Sequence, residues 1–171
     1  FGMGAGLFAL ALFVFEPSII AHGAYVTTDI GLSCFLFAGI YALYRYVKTP
    51  SWGRLMTLGL ASGLALASKH SAVLLLPIGL SLLFTEISWF QSGPRANRKA
   101  LALRLAGAFL TASIIALLVL WAFYGFRYVA RPGGMHLHPS LVEYAGVLRR
   151  PEARVYLTLA HWHLLPESYL Y

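Results

Sequence analysis

Charge is scarce in this chain. Only 11% of its 171 residues are charged, and just 6 are acidic. A soluble domain carries about 25% charged residues and roughly 45–50% apolar ones. Here 59% are apolar and the mean hydropathy is +0.71. That balance excludes intrinsic disorder, which requires low hydrophobicity and high net charge, and points to a bilayer as the solvent. Cysteine is nearly absent. Cys34, inside an apolar run, is the single one, so there is no intrachain disulfide framework and no cysteine zinc site. P-loop, GxGxxG-after-strand and HExxH patterns are also missing, as are soluble repeats and low-complexity tracts. The Gly-rich start has no basic n-region, so no signal peptide is visible. The chain opens on Phe1 in mid-run and stops at Tyr169-Leu170-Tyr171 without a polar tail. It is therefore expected to be an internal fragment of a longer membrane protein.

What is present is a series of apolar runs. A bilayer core of about 30 Å takes about 20 helical residues. The runs are Phe1–Phe15, Ile30–Val47, Leu55–Ala67, Ala72–Phe84 (with Pro77 inside) and Ala100–Phe126, the last interrupted only by Arg104. The third and fourth are short. They are expected to form two short helices meeting at Lys69-His70, in a hairpin whose tip reaches the polar boundary or a wet cavity. The fold class is thus all-α, a polytopic transmembrane bundle. Residues 1–126 form the membrane region, with about five helices, and residues 127–171 begin an outer loop.

The net charge of +7 is better explained by topology than by nucleic acid, and no nucleic-acid partner is expected. Arg45, Lys48, Arg54, Arg95, Arg98, Lys99 and Arg104 lie in or beside one set of connections, against Lys69 alone in the other. The basic set is predicted to be cytoplasmic, which sends 16–29, 68–71 and the tail from Gly125 outward. Trp52, Trp89, Tyr44 and Tyr46 suit an aromatic belt. Gly59/Gly63 and Gly2/Gly6 have the GxxxG spacing that allows close helix approach. In the tail, Pro132-Gly133-Gly134 makes a loop. Amphipathic helices are predicted from Pro139 and from Pro151, lying on the outer surface.

Ionisable groups at bilayer depth mark function or a wet cavity. Glu16, His22 and Asp29 share one outward connection and could bind a cation or steer a substrate hydroxyl; a solvated turn with Asp29 capping a helix is the plain alternative. Lys69 stands between apolar flanks with no acid nearby in sequence, so a phosphate is a natural partner. The alternative is snorkelling to the interface. His136/His138 and His161/His163 invite a zinc reading, but residues i and i+2 do not share a helix face, and no metal site is assigned to them. Arg127, Arg131, Arg149, Arg150 and Arg154 make a basic outer tail, read as a solvated face or as a draw for anionic headgroups or a pyrophosphate lipid.

Several segments carry a resemblance. Glu16-Pro17-Ser18-Ile19-Ile20-Ala21-His22-Gly23-Ala24-Tyr25-Val26-Thr27-Thr28-Asp29, then Tyr44-Arg45-Tyr46 and Pro50-Ser51-Trp52, resembles bacterial dolichyl-phosphate-mannose-protein mannosyltransferase-like proteins. These include relatives of the aminoarabinose transferase that modifies lipid A. Gly63-Leu64-Ala65-Leu66-Ala67-Ser68-Lys69-His70-Ser71 and the tail segments His138–Tyr144 and His163–Tyr169 are similar to theirs too. The resemblance implies a GT-C fold in the bacterial inner membrane, with multiple passes. It implies transfer of a sugar from a polyprenyl-phosphate donor to a protein or lipid acceptor on the outer side. By that resemblance Lys69 would face the donor's phosphate and Asp29 would lie near the donor pocket; His70 is taken with Lys69 as a phosphate-binding candidate, and Glu16 and His22 with Asp29 as candidates for a donor or acceptor pocket. The catalytic carboxylate is expected upstream of Phe1, so the fragment alone would be inactive. Some relatives have Arg where this chain has Ala24. No cofactor is assigned, and a divalent metal ion stays open. A transporter or permease segment, with broken helices at a midplane site, is the alternative; a structural membrane subunit is a third reading.

Overall fold

The computed structural model describes residues 2–24, 28–89, 95–129, 133, 135 and 138–170. Nothing is described of the side chains of His22, Trp89 and residues 95–98. The described residues contain helices and no strand. The protein is an all-α helical membrane bundle, and it forms two compact units, Phe1–Ala116 and Leu117–Tyr171.

The first unit begins with α1 (Met3–Val14) and α2 (Pro17–Ala24). α1 is apolar on every side and buries no residue, the pattern of a helix whose solvent is hydrocarbon. Glu16 starts α2. Its carboxylate accepts the Ile19 N–H at 2.8 Å and its carbonyl accepts the Ile20 N–H at 3.1 Å, with Pro17 at the first helical position, where its missing N–H costs nothing.

α3 (Asp29–Lys48) and α4 (Trp52–Ser68) form the main antiparallel pair. Asp29 lies in the first turn of α3, and Arg45 and Lys48 in the last, which suits the helix dipole at both ends. The tight connection Thr49-Pro50-Ser51 is closed by side chains. Ser51 Oγ accepts the Arg54 N–H at 3.4 Å, and the Arg54 guanidinium donates to the carbonyls of Arg45, at 3.2 Å, and Thr49. The Arg45 carbonyl already accepts the Thr49 N–H at 3.1 Å, so Arg54 adds a second donor there and a partner for the Thr49 carbonyl, at an end where helical carbonyls run out of partners.

α4 ends at Ser68, and Lys69 follows in extended backbone, φ −162° and ψ 146°. A 3-10 turn, His70–Leu74, leads into α5 (Leu75–Trp89). Pro77 falls in the first turn of α5, where no helical N–H is needed. The helices run beyond the apolar runs that announce them. α4 has 17 residues. His70–Ser88 has 19 and is long and apolar enough to cross a membrane, as are Asp29–Lys48 and Lys99–Phe123.

The core joins α3, α4, α5 and α6 (Arg95–Phe123) through Ala42, Leu43, Tyr46, Leu55, Leu58, Leu83, Leu105, Ala108 and Ala112. Leu105, Ala108, Ala112 and Ala116 trace one face of α6. Small side chains on that face let backbones approach, as in membrane helix pairs. The closest approach is at Gly59, where an added Cβ would stand 2.6 Å from Ile115 Cβ. Of the two GxxxG pairs, Gly59 serves this packing, whereas a Cβ on Gly2 or Gly6 would meet nothing within 4 Å.

The second unit holds α7 (Leu141–Val147), α8 (Arg150–His161) and α9 (Glu167–Leu170). Ser140 and Glu143 form a capping box at the start of α7. Ser140 Oγ accepts the Glu143 N–H at 3.3 Å, and the Glu143 carboxylate accepts the Ser140 N–H at 2.6 Å. Pro151 sits in the first turn of α8. The second helix starts within one residue of Pro151, as the sequence places it, but the first begins two residues after Pro139, because Ser140 takes the N-cap and leaves the proline outside the first turn. Trp121 Nε1 donates to the Leu164 carbonyl at 3.1 Å, and the Tyr128 hydroxyl to the Ala160 carbonyl at 3.3 Å. These bonds fold the tail back on the end of α6.

Candidate functional site

Two of the sequence-selected residues meet. Lys69 Nζ donates to Asp29 Oδ1, forming an ion pair between the C-cap of α4 and the first turn of α3. The antiparallel pairing of α3 and α4 brings those ends together. A Cβ on Gly31 would stand 3.6 Å from Ser68 Oγ, so the two backbones are close just inside the pair. Ser68 Oγ is turned back to the Leu64 carbonyl at 2.8 Å. The same helix ends contribute to a small apolar cluster of Leu32, Ala65 and Ala72, packed by Phe35, Leu36, Leu66 and Leu75. The Lys69 and Asp29 side chains are 41% and 52% exposed.

The extended backbone of Lys69 has a chemical consequence. Its N–H still bonds the Ala65 carbonyl at 3.2 Å, and its carbonyl accepts the Ala72 N–H at 3.0 Å. The residue is held from both sides at a helix break. The ammonium carries three donors, and the bond to Asp29 Oδ1 occupies one. Thr28 sits at the N-cap of α3 without a side-chain cap bond. Asp29 is therefore the first helical residue and not the cap that the plain reading gave it.

The other selected residues separate. Glu16 caps α2, as described. His22 belongs to α2, and its side chain lies outside the described residues. His70 is exposed and opens the 3-10 turn beside Lys69. His136, Arg131, Pro132 and Gly134 lie outside the described residues. His161 and His163 diverge: the His161 ring lies edge-on to Trp162 at 5.8 Å, and the His163 ring packs on Tyr128 at 4.0 Å. Among the described residues no three His, Cys, Asp or Glu side chains gather as a metal site. Arg127, Arg149, Arg150 and Arg154 are exposed, as a solvated basic face requires.

Three groups in the tail have displaced acidities. Glu143 titrates below its ordinary value, because the Ser140 N–H and hydroxyl favour its charged form. Tyr169 is pushed up to about 12, first by burial and then by Tyr124. Tyr128 is raised by burial and by the charge of Glu167. All three belong to caps and packing.

The family described as dolichyl-phosphate-mannose-protein mannosyltransferase matches residues 1–123. The chain belongs to this family. The match ends with α6, so the membrane helices and the Lys69–Asp29 pair are inside it and the tail is outside. No curated protein and no solved structure matches the chain. As a member of the mannosyltransferase family, it is a multi-pass membrane glycosyltransferase of the GT-C type. The pairing of Lys69 with Asp29 is the feature that sequence reasoning missed. Each residue was singled out, but nothing local joins them; only the length of the α3–α4 hairpin, counted back from Pro50, could have suggested it.

Proposed function

We propose that this mannosyltransferase-family chain carries the donor-phosphate site of an enzyme that moves a sugar from a polyprenyl-phosphate carrier to a protein or lipid acceptor. Transfer takes place on the outer side of a bacterial inner membrane. The single observation that carries this reading is the Lys69–Asp29 pair at a helix break. As the glycosidic bond breaks, negative charge builds on the departing polyprenyl phosphate. A cation already oriented at that place stabilises it without reorganising. Asp29 holds the lysine head, and its remaining donors turn to the phosphate oxygens as a point charge. His70, next in the chain, is within reach of the same headgroup. Family membership removes the main support for a permease.

The test is sugar transfer by the complete enzyme from a polyprenyl-phosphate donor. Lys69→Met keeps the apolar stem and removes the charge. A charge-assisted hydrogen bond is worth roughly 1.5–3 kcal/mol, so transfer should fall about tenfold to a hundredfold. Lys69→Arg should keep part of the activity. Full activity in a folded Lys69→Met enzyme would overturn the phosphate role and leave Lys69 as an interface anchor.

A further inference from the structure

α8 turns one side to the protein and leaves the other uncovered. Tyr156 is buried and its ring packs on Tyr144 of α7 at 5.7 Å, and the Ala160 carbonyl accepts the Tyr128 hydroxyl at 3.3 Å. Those contacts fix the rotation of the helix. The other side carries two neighbouring rows at helical spacing. Arg150, Arg154 and His161 form one, about 16 Å long at helical rise, and Val155, Thr158 and Trp162 form the next. All six are exposed, Val155 by 60% and Trp162 by 69%. A row with two arginines beside a row with a tryptophan and a valine is the pattern of a helix lying in a lipid–water interface.

The arginines are not engaged within the protein. Among the described residues neither Arg150 nor Arg154 pairs with an acid. Glu152, the acid of α8, lies two positions from each and so faces neither. Its carboxylate accepts the Arg149 N–H at 3.4 Å. Glu143 of α7 is likewise held at a cap, by the Ser140 N–H. The chain also places the helix. The second unit begins at Leu117, inside α6, and Lys99–Phe123 is long and apolar enough to cross a membrane. Trp121, in the last turn of α6, donates to the Leu164 carbonyl at 3.1 Å, just past the end of α8. That bond ties the end of α8 to the point where α6 leaves the bilayer.

We propose that this face of α8 docks on the surface of the bilayer that α6 crosses. Val155 and Trp162 enter the headgroup layer, and Arg150 and Arg154 meet the phosphates of anionic phospholipids. Charge complementarity selects the occupant. Two arginines without an acidic partner call for an anionic surface, and the exposed Trp162 and Val155 call for one with hydrocarbon just below. An acidic protein meets only the first requirement, and a neutral bilayer only the second. The sequence pattern puts the helix on a membrane surface; the packing of Tyr156 decides which side of it meets the lipid. The inference rests on residues of the second unit and not on Lys69 or Asp29.

The test uses the complete enzyme, its other cysteines replaced, in nanodiscs of phosphatidylcholine alone or mixed with phosphatidylglycerol. An environment-sensitive dye on Thr158→Cys, between Val155 and Trp162, reports the ratio of docked to hydrated helix. Each cation near a charged membrane surface contributes about a fivefold preference. Arg150→Gln and Arg154→Gln should therefore each lower the ratio about fivefold in the mixed discs and leave it unchanged in phosphatidylcholine. Added salt should lower it in the mixed discs. Glutamine is a good helix former, so the helix itself survives both changes. Arg150→Lys and Arg154→Lys should keep the ratio, because a charged surface reads charge and not the guanidinium fork. Val155→Ser with Trp162→Ser should lower it in both kinds of disc. A hydrated dye in both discs would overturn the proposal, as would an unchanged ratio in both glutamine variants. Lysine variants that fail as the glutamine ones do would replace the surface by a single fixed ligand, and a photo-crosslink from position 155 to protein in place of lipid would replace it by a protein partner.

Discussion

Lys69 and Asp29, separated by 40 positions, form an ion pair that joins the C-cap of α4 to the first turn of α3. In water, a half-exposed pair of this kind contributes about 0.2–1 kcal/mol. Its significance is therefore positional. It fixes a cation at a point where the backbone is already pinned by the bonds to Ala65 and Ala72.

Asp29 is accordingly expected to act as a positioning residue. Asp29→Asn should leave the protein folded, because the pair adds little stability, and should lower donor-dependent transfer roughly tenfold. The effect should be mainly on donor KM, and Asp29→Glu should restore part of it. Combining Asp29→Asn with Lys69→Met should add little to the Lys69→Met loss, since the two act as one unit. Fully additive losses would separate them.

Gly59 should tolerate no side chain. Its Cβ position lies 2.6 Å from Ile115 Cβ and 2.7 Å from Ile115 Cγ2. Both are close to the backbone, not at the tip of a flexible side chain. Gly59→Ala should destabilise by about 1–3 kcal/mol through overpacking, measured by thermal melting in detergent. Ile115→Ala in the same protein should recover part of the loss. Gly6→Ala, at an open position, should be neutral or slightly stabilising.

The α7 capping box should respond to acid. Glu143 has a folded-state pKa held below the ordinary value by Ser140. A depressed carboxylate contributes stability that is present above its unfolded pKa and is lost as pH falls through the folded one. Hydrogen-exchange protection of the α7 amides should hold at neutral pH and fall on acidification below the usual carboxylate range. Glu143→Gln should remove that acid step, and Ser140→Ala should lower protection at neutral pH as well.

Topology is open to a direct check. Lys48 ends α3, whereas Lys69 is joined to its start, so the two stand at opposite ends of a helix able to cross a membrane. With Cys34 replaced by Ser, an impermeant thiol reagent applied from outside should label a cysteine at position 69 and miss one at position 48. The charge asymmetry of the connections sets that direction. Labelling of both from one side would contradict the crossing.

The sequence by itself determined the solvent and the class. Apolar runs of helical length can satisfy their backbone in a bilayer only as helices, and the structure is an all-helical membrane bundle. Proline also marked the tail's helix starts to within two residues, because its constraints are local: Pro151 falls in the first turn of α8, whereas Pro139 stands just ahead of α7, whose start the Ser140–Glu143 capping box sets. Hydropathy read α4 and α5 as too short, since Trp52, Arg54, Ser68 and Ser88 are polar or interfacial and still continue or cap a helix. The Ser51 cap and the extended backbone at Lys69, not hydropathy, set the ends of α4. The Lys69–Asp29 pair was beyond any local pattern. Sequence neighbours gave Lys69 no acid, and the antiparallel return of α4 along α3 supplied one. Packing likewise chose between the GxxxG pairs: Gly59 faces Ile115 and Gly6 faces open space, although their spacing is the same. Short-range rules act on residues a turn apart, whereas partners across a hairpin exist only once two helices have been packed side by side.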